Sequence, residues 1–206
     1  YTPYHLFDLY KRGSVGEILA LAVMPFTLWQ MERKSLFWTS LGITLLVISH
    51  NTLAVLFLGI IIAYMGFDLY VYKGKRYLLR NYLLILMFGV GIASFFWVPA
   101  FFDLKYTVFS KIQVSEWGKY FSNVTQVGIS TFFVFALTVI FFIAKIIKLS
   151  KHRLTGLFLV IGVLSLFFAS PLSAILWNIL PVSFIQFPFR FLSITLICVA
   201  FLSAVL

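Results

Sequence analysis

Residues 4–17 concentrate ionisable side chains just before the first long apolar run, in the order YHLFDLYKRGSVGE. If this segment is helical, His5, Asp8 and Arg12 are spaced i, i+3, i+7 and share one face. One interpretation is an interfacial amphipathic helix held by aromatic anchors. The other is one wall of a substrate cavity, in which Arg12 binds phosphate and the carboxylates hold sugar hydroxyls or a metal. The carboxylates are those of Asp8 and Glu17, and their spacing is too loose to predict a metal site.

A second polar interruption, His50 and Asn51, falls inside the apolar stretch 36–67. Ionisable side chains at membrane depth are costly, and they usually face the protein interior or a water-filled cavity. The two residues are therefore either the tip of a hairpin at the interface or a pair that lines a cavity for a polar or phosphorylated ligand.

Arg190 follows Pro188 at the start of the last apolar run. Proline suits the first turn of a helix, so Arg190 falls in the same turn, near unpaired N–H groups and the positive end of the helix dipole. Such a place favours an anion, and the planar guanidinium can bind phosphate through two parallel hydrogen bonds. Snorkelling to the lipid headgroups is the alternative. We favour the anion site.

The elements that must position these residues are membrane helices. Of the 206 residues, 62% are hydrophobic and only 11% are charged, and the mean hydropathy is +1.05. A soluble chain of this size could not hide so much apolar surface. The apolar stretches lack the period-two alternation of a membrane β-barrel, so the sequence predicts an all-α, polytopic transmembrane helical bundle.

About seven spans are predicted, because a crossing needs about 20 apolar residues. The predicted spans are 18–31, 36–48, 53–70, 82–102, 127–147, 154–169 and 191–206. The stretch 36–67 is divided because a single helix there would be about 48 Å long. The segment 171–187 is predicted to lie in the outer interface. We expect residues 1–206 to be one membrane domain and an internal piece of a longer polypeptide.

The net charge of +10 comes mainly from basic residues between the apolar runs, which argues against nucleic acid as a partner. Two clusters mark alternate loops: Lys73, Lys75, Arg76 and Arg80, then Lys145, Lys148, Lys151 and Arg153. The positive-inside rule assigns both loops to the cytoplasm. The outer side then holds residues 1–16, the 50–51 tip, the loop 103–126 and the segment 170–190. Most polar residues that do not anchor topology fall on that side.

Four stretches together resemble a known family: YHLFDLYKRGSVGE, LLVISHNTLAVLF, SFFWVPAFFD and WNILPVSFIQFPFRFLS. They are similar to multispan membrane proteins of bacteria and archaea described as 6-pyruvoyl-tetrahydropterin-synthase-related, over nearly the whole chain. That family in turn resembles the GT-C glycosyltransferases, which transfer a sugar from a polyprenyl-phosphate donor on the outer membrane face. The histidine-ligated zinc of the soluble pterin synthase has no counterpart here.

The resemblance implies a GT-C-like enzyme in the plasma membrane of a prokaryote, with the lipid bilayer and a polyprenyl-phosphate-linked sugar as partners. It implies a donor-phosphate contact for Arg190 and cavity lining for His50, Asn51, Asp8 and Glu17. It also implies that the acidic base precedes residue 1. The cofactor is unknown, and a divalent metal stays open.

Two other classes of function stay open. A transporter or lipid-carrier flippase would also need a polar cavity, but at the bilayer midplane, with broken helices and paired halves. A non-catalytic membrane scaffold is the third interpretation. The gathering of polar residues on one side, without an internal repeat, favours the enzyme.

Overall fold

The computed structural model describes residues 2–72, 76–106, 117–144, 149–179 and 185–206. Within these ranges all regular secondary structure is helical, which confirms the all-α prediction. The predicted loop residues Lys73, Lys75, Lys145 and Lys148 lie outside the described residues, as do the parts 107–116 and 180–184 of the predicted outer segments. The side of the membrane on which each loop lies stays a prediction.

The α-helices are short or bent in several places. In chain order they are α1 (Pro3–Leu6), α2 (Val15–Glu32), α3 (Leu36–Ser49), α4 (Asn51–Val71), α5 (Arg76–Ile92), α6 (Ser94–Asp103), α7 (Val124–Val127), α8 (Ile129–Ile143), α9 (Leu149–Ala169), α10 (Ala174–Ile179) and α11 (Leu192–Val205). A π-helical segment, Phe7–Arg12, follows α1, and a 3₁₀ turn, Pro188–Phe191, precedes α11.

The described residues offer two to four candidate membrane spans, rather than the seven predicted. Asn51–Val71 and Pro188–Val205 are long and apolar enough to cross alone. Two further pairs qualify only as bent units: Arg76–Ile92 with Ser94–Asp103, bent by 60°, and Arg153–Ala169 with Pro171–Ile179, bent by 80°. Of the predicted spans, 36–48 and 127–147 correspond to α3 and α8, which are apolar but only about 21–23 Å long against about 30 Å of hydrocarbon. The predicted span 18–31 lies in α2, which is not among the candidates.

The chain divides into two compact units. Unit 1 comprises Tyr1–Ser14 and Val114–Leu206, and unit 2 comprises Val15–Gln113. The first unit joins residues from the two ends of the chain, and the single membrane domain over residues 1–206 stays a prediction.

In unit 2, α3 packs against α2, α4 and α5. Small residues allow the close approach, as is common between membrane helices. A Cβ atom on Gly89 would lie 2.7 Å from Ile43 Cβ, and one on Gly42 would collide with the Thr27 hydroxyl. The Thr44 hydroxyl donates a hydrogen bond of 2.9 Å to the Gly89 carbonyl, which ties α3 to α5. Glycine is needed at both helix contacts because any side chain would force the backbones apart.

Helices α3 and α4 form a hairpin whose turn is His50. The His50 backbone is extended, with φ −162° and ψ 118°, so it interrupts the helical run between Ser49 and Asn51. The Lys34 ammonium, just before α3, lies 2.7 Å from Asp68 near the end of α4. The chain therefore runs out along α3 and returns along α4.

In unit 1, α11 packs on α9 and on α8. The Ser165 and Thr195 hydroxyls share a hydrogen bond of 2.8 Å between α9 and α11, and Phe158 stacks on Phe201 at 4.2 Å. Helix α1 packs on the same α11, where the Ser193 hydroxyl donates to the Tyr4 hydroxyl over 3.3 Å. These contacts fix the N-terminal segment beside the 3₁₀ turn that carries Arg190.

Candidate functional site

Asp8 and Arg12 are positioned by the π-helical segment Phe7–Arg12. Pro3 starts the preceding α1, and Gly13, with φ 61°, ends the segment by donating its N–H to the Asp8 carbonyl. A left-handed residue at this point favours glycine. Short π-helical stretches are rare and often occur at functional sites. The residue spacing predicts a helix here but not the wider π-helical turn.

The Asp8 carboxylate is completely buried and accepts a hydrogen bond from Arg12 Nη1. The guanidinium of Arg12 also lies over the Phe189 ring, with Cζ 4.9 Å from the ring centroid. Only 19% of the Arg12 side chain is exposed, so this ion pair is largely removed from solvent. His5, which the sequence grouped with this pair, is half-buried.

Arg190 contacts the second ring of the same aromatic pair. Its Nη1 donates to the Ile185 carbonyl at 2.8 Å and to Gln186 Oε1 at 3.1 Å, and its Cζ lies 5.0 Å from the Phe187 centroid. The Phe187 and Phe189 rings stack with an interplanar angle of 5° and a centroid distance of 5.3 Å. Each guanidinium therefore contacts one ring of the same stacked pair, at a distance typical of cation–π contact.

We call Asp8, Arg12, Phe187, Phe189 and Arg190 the arginine–aromatic cluster. It brings together three of the site residues predicted from sequence, all within unit 1. Arg190 is only 6% exposed, and its guanidinium turns back on the residues that precede it. The hydrogen bonds from Arg190 to the Ile185 carbonyl and to the Gln186 side chain stabilise the turn at Gln186, whose φ of 66° is left-handed. The alternative in which Arg190 snorkels to the headgroups does not fit this burial.

Glu17 and His50 form a second site, within unit 2. Glu17 is completely buried in the first turn of α2, and its Oε1 lies 3.5 Å from His50 Nε2. His50 Nδ1 accepts the Leu53 N–H at 3.2 Å and so caps α4. Since Nδ1 accepts, Nε2 carries the proton and points to the carboxylate. The close packing of Gly16 against the Ser49 carbonyl holds the two helix ends together.

Asn51, the remaining predicted residue, is exposed on a groove of about 280 Å³ in unit 2. The rest of the groove is apolar: Val47, Ala54, Val55, Leu58, Val90, Trp97, Ala100 and Phe101. The Trp97 indole N–H donates to the Val90 carbonyl at 3.0 Å, which occupies that carbonyl where α5 bends into α6. Asn51 is thus the one polar residue among the groove's lining residues.

A third cluster, which no sequence motif predicts, lies at the opposite end of the α3–α4 hairpin. The Lys34 ammonium donates to Asp68 at 2.7 Å and to the Tyr82 hydroxyl at 3.2 Å, and Tyr82 also donates to Asp68. Nearby, the Tyr64 hydroxyl donates to Glu32. Asp68 is an acidic residue inside a predicted span, and an acidic residue at that depth is expected to have a partner in the protein.

Burial works against the charged form of Lys34, but the hydrogen bonds to Asp68 and Tyr82 outweigh it and raise the pKa of Lys34 above its ordinary value of 10.5. The ammonium is therefore charged throughout the physiological range. Lys34 has a left-handed φ of 55°, which is uncommon for a residue with a side chain. The network of contacts compensates for that backbone conformation.

Among the described residues, no group of three or more His, Cys, Asp or Glu side chains could hold a metal ion. The site residues instead form pairs, in which a carboxylate contacts an arginine or a histidine, or an arginine lies over a phenylalanine ring. These pairs are held by charge-assisted hydrogen bonds and cation–π contacts.

Comparison with known proteins gives a family assignment. No curated protein matches the chain, and no solved structure does. The family model described as "6-pyruvoyl-tetrahydropterin synthase related domain; membrane protein" matches residues 5–206. This confirms the resemblance to that family and the membrane class, and none of the comparisons links the chain to a glycosyltransferase. The chain belongs to the 6-pyruvoyl-tetrahydropterin synthase related family of membrane proteins.

Proposed function

We propose that this chain is part of a GT-C-like membrane glycosyltransferase that takes a sugar from a polyprenyl-phosphate donor. The arginine–aromatic cluster is the observation that carries the proposal. Arg12 and Arg190 come from opposite ends of the sequence, yet both guanidiniums lie within about 5 Å of one stacked ring pair. An arginine fork matches the geometry of a phosphate, and two forks suit a phosphate whose charge grows during reaction.

In the proposed reaction, an acceptor hydroxyl attacks the anomeric carbon of the donor sugar. The new C–O bond forms as the bond between the anomeric carbon and the phosphate oxygen breaks, and the bonding electrons leave with the polyprenyl phosphate. A carboxylate base takes the hydroxyl proton. Arg190 and Arg12 stabilise the departing phosphate, because positive groups fixed beforehand favour charge that develops in the transition state.

The remaining residues are given supporting roles. The Asp8 carboxylate orients the Arg12 guanidinium through their ion pair. Within unit 2, Glu17, His50 and Asn51 are proposed to line a polar cavity. The reaction side is proposed to be the outer face of a prokaryotic plasma membrane. A divalent metal stays open as a cofactor. Any such ion would have to be held by ligands other than a cluster of three or more His, Cys, Asp or Glu side chains among the described residues, which contain none.

The test is donor binding by the full-length protein in nanodiscs, with a polyprenyl-phosphate sugar titrated into wild type, Arg190→Lys and Arg190→Ala. Arg190→Lys keeps the charge but removes the planar fork, so we expect the dissociation constant to rise about tenfold. Arg190→Ala should weaken binding further. Unfolding midpoints of the same samples separate lost binding from a weakened 185–187 turn.

Arg33→Lys is the matched control. Arg33 also lies over an aromatic ring, with Cζ 5.1 Å from the Trp29 centroid, but it belongs to unit 2 and is exposed. The same substitution there should leave donor affinity unchanged. Equal affinities in wild type and both Arg190 variants would remove Arg190 from the donor site.

A transporter or lipid-carrier flippase is the second candidate, because each unit contains a bent helix pair. The bends of 60° and 80° supply the broken helices that such proteins use near their substrates. A transfer assay and a vesicle translocation assay on the same preparation distinguish the two classes. Movement of the lipid-linked sugar across the bilayer without glycosyl transfer would favour the flippase. Donor binding without either activity would favour a scaffold.

A further inference from the structure

One face of α5 combines exposed cations with an exposed apolar stripe. Its residues line an open groove of about 470 Å³: Arg76, Leu79, Arg80, Leu83, Leu84 and Met87. The side chains of Leu79, Leu83 and Met87 are between 47% and 58% exposed. This groove lies within unit 2 and involves none of the residues assigned to the proposed glycosyl transfer.

Both arginines lie toward the start of this face, and the apolar side chains extend from Leu79 to Met87. Arg76 and Arg80 are four residues apart, so their side chains are neighbours about 5–6 Å apart on one face. Leu79, Leu83 and Met87 continue along that face for about 12 Å at 1.5 Å per residue. That length is close to one hydrocarbon leaflet of about 15 Å. The groove therefore has a cationic end and an apolar run of leaflet length.

These two arginines differ from the arginines of the arginine–aromatic cluster. Arg12 is paired with Asp8, and Arg190 is hydrogen-bonded to the 185–186 backbone and side chain. In the part of the chain that the structure describes, neither Arg76 nor Arg80 has a hydrogen bond or an ion pair. Two neighbouring guanidiniums whose N–H groups make no hydrogen bond within the described residues can both donate to an anion.

We propose that this face of α5 is a binding site for an anionic phospholipid. Arg76 and Arg80 bind the headgroup phosphate, and one acyl chain lies along Leu79, Leu83 and Met87. A soluble phosphate would use only the cationic end of the groove and would leave the apolar stripe uncovered. A zwitterionic lipid would cover the stripe but would gain less from two cations.

The test uses the full-length protein in phosphatidylcholine vesicles, with spin-labelled phosphatidylglycerol and spin-labelled phosphatidylcholine as probes. We expect wild type to bind phosphatidylglycerol preferentially, and each arginine to contribute about fivefold to that preference. The double variant Arg76→Gln/Arg80→Gln should lose the preference while keeping its unfolding midpoint, because both side chains are exposed.

The matched control is Arg33→Gln/Arg153→Gln, which removes two other exposed arginines and the same total charge. It should retain the preference. Equal losses in the two double variants would overturn the site, since they would reflect surface charge alone. Leu83→Asn should weaken phosphatidylglycerol association, and unchanged association would overturn the acyl-chain contact. Full displacement of the lipid by glycerol phosphate would likewise overturn the proposal in favour of a soluble phosphate site.

Discussion

The two ends of the α3–α4 hairpin both bury a carboxylate, but they give it different partners. At one end, Glu17 faces the neutral, protonated nitrogen of His50. At the other end, Asp68 is held by the Lys34 ammonium and by the Tyr82 hydroxyl. Glu17 thus has one longer contact with His50, whereas Asp68 accepts hydrogen bonds from two different residues.

We call the Lys34 end a structural clamp because its three groups hold three parts of the chain together. The His50 end has fewer and longer contacts, so we expect it to rearrange more easily. The Lys34 end joins the turn before α3 to α4 and α5 through three mutually bonded groups, so removing one leaves the others without their partner. The His50 end has a weaker contact of 3.5 Å and a histidine that also caps a helix. A group that binds ligand must exchange partners during a cycle, and the His50 end is the better suited to do so.

The largest expected effect comes from Asp68→Ala. The substitution removes the acceptor that Lys34 and Tyr82 share, and it leaves a charged group and a phenol partly buried. We expect the free energy of unfolding to fall by about 2–3 kcal/mol. The measurement is denaturant unfolding of the full-length protein in mixed micelles.

Asp103→Ala is the control for this substitution. Asp103 is exposed at the end of α6. Its removal should leave stability unchanged. If both alanine variants unfolded like wild type, the Lys34 end would not be a clamp.

A smaller effect is expected from His50→Ala and His50→Asn. The alanine variant loses both the Glu17 contact and the cap of α4, and the loss should be about 1–2 kcal/mol. Asparagine is a good helix cap but cannot reach Glu17 in the same way, so about half of the loss should be restored. The same unfolding assay separates the two contributions. Identical stabilities of the two variants would show that His50 Nδ1 does not cap α4.

The smallest effect is expected from alkaline pH. Because the folded-state pKa of Lys34 is raised, its contribution to stability is complete below its ordinary pKa of 10.5 and is lost as the pH rises through the folded value. We expect the unfolding midpoint of wild type to fall above about pH 10.5 more steeply than that of Lys34→Met. Parallel pH profiles of the two proteins would contradict a charged Lys34 contact.

Much of the architecture could be predicted from the sequence because hydropathy depends on local composition. Apolar runs predicted the membrane class and the all-α fold, and the polar run 49–52 falls where the structure interrupts the helices at His50. Pro188 also predicted the turn that carries Arg190, since a fixed φ and a missing N–H act locally. Four motif stretches predicted the family, whose model matches residues 5–206.

Tertiary structure alone decided which of these residues meet. Lys34 and Asp68 are separated by the full hairpin, and Tyr82 comes from a third helix, so no local pattern pairs them. The direction of the Arg190 guanidinium likewise depends on the turn at Gln186 and on the stacked phenylalanines. The same holds for the spans, since the described residues offer two to four candidates where hydropathy predicts seven. Transfer into lipid favours every apolar run, but packing decides where a helix bends or stops, because each buried backbone group must find a partner.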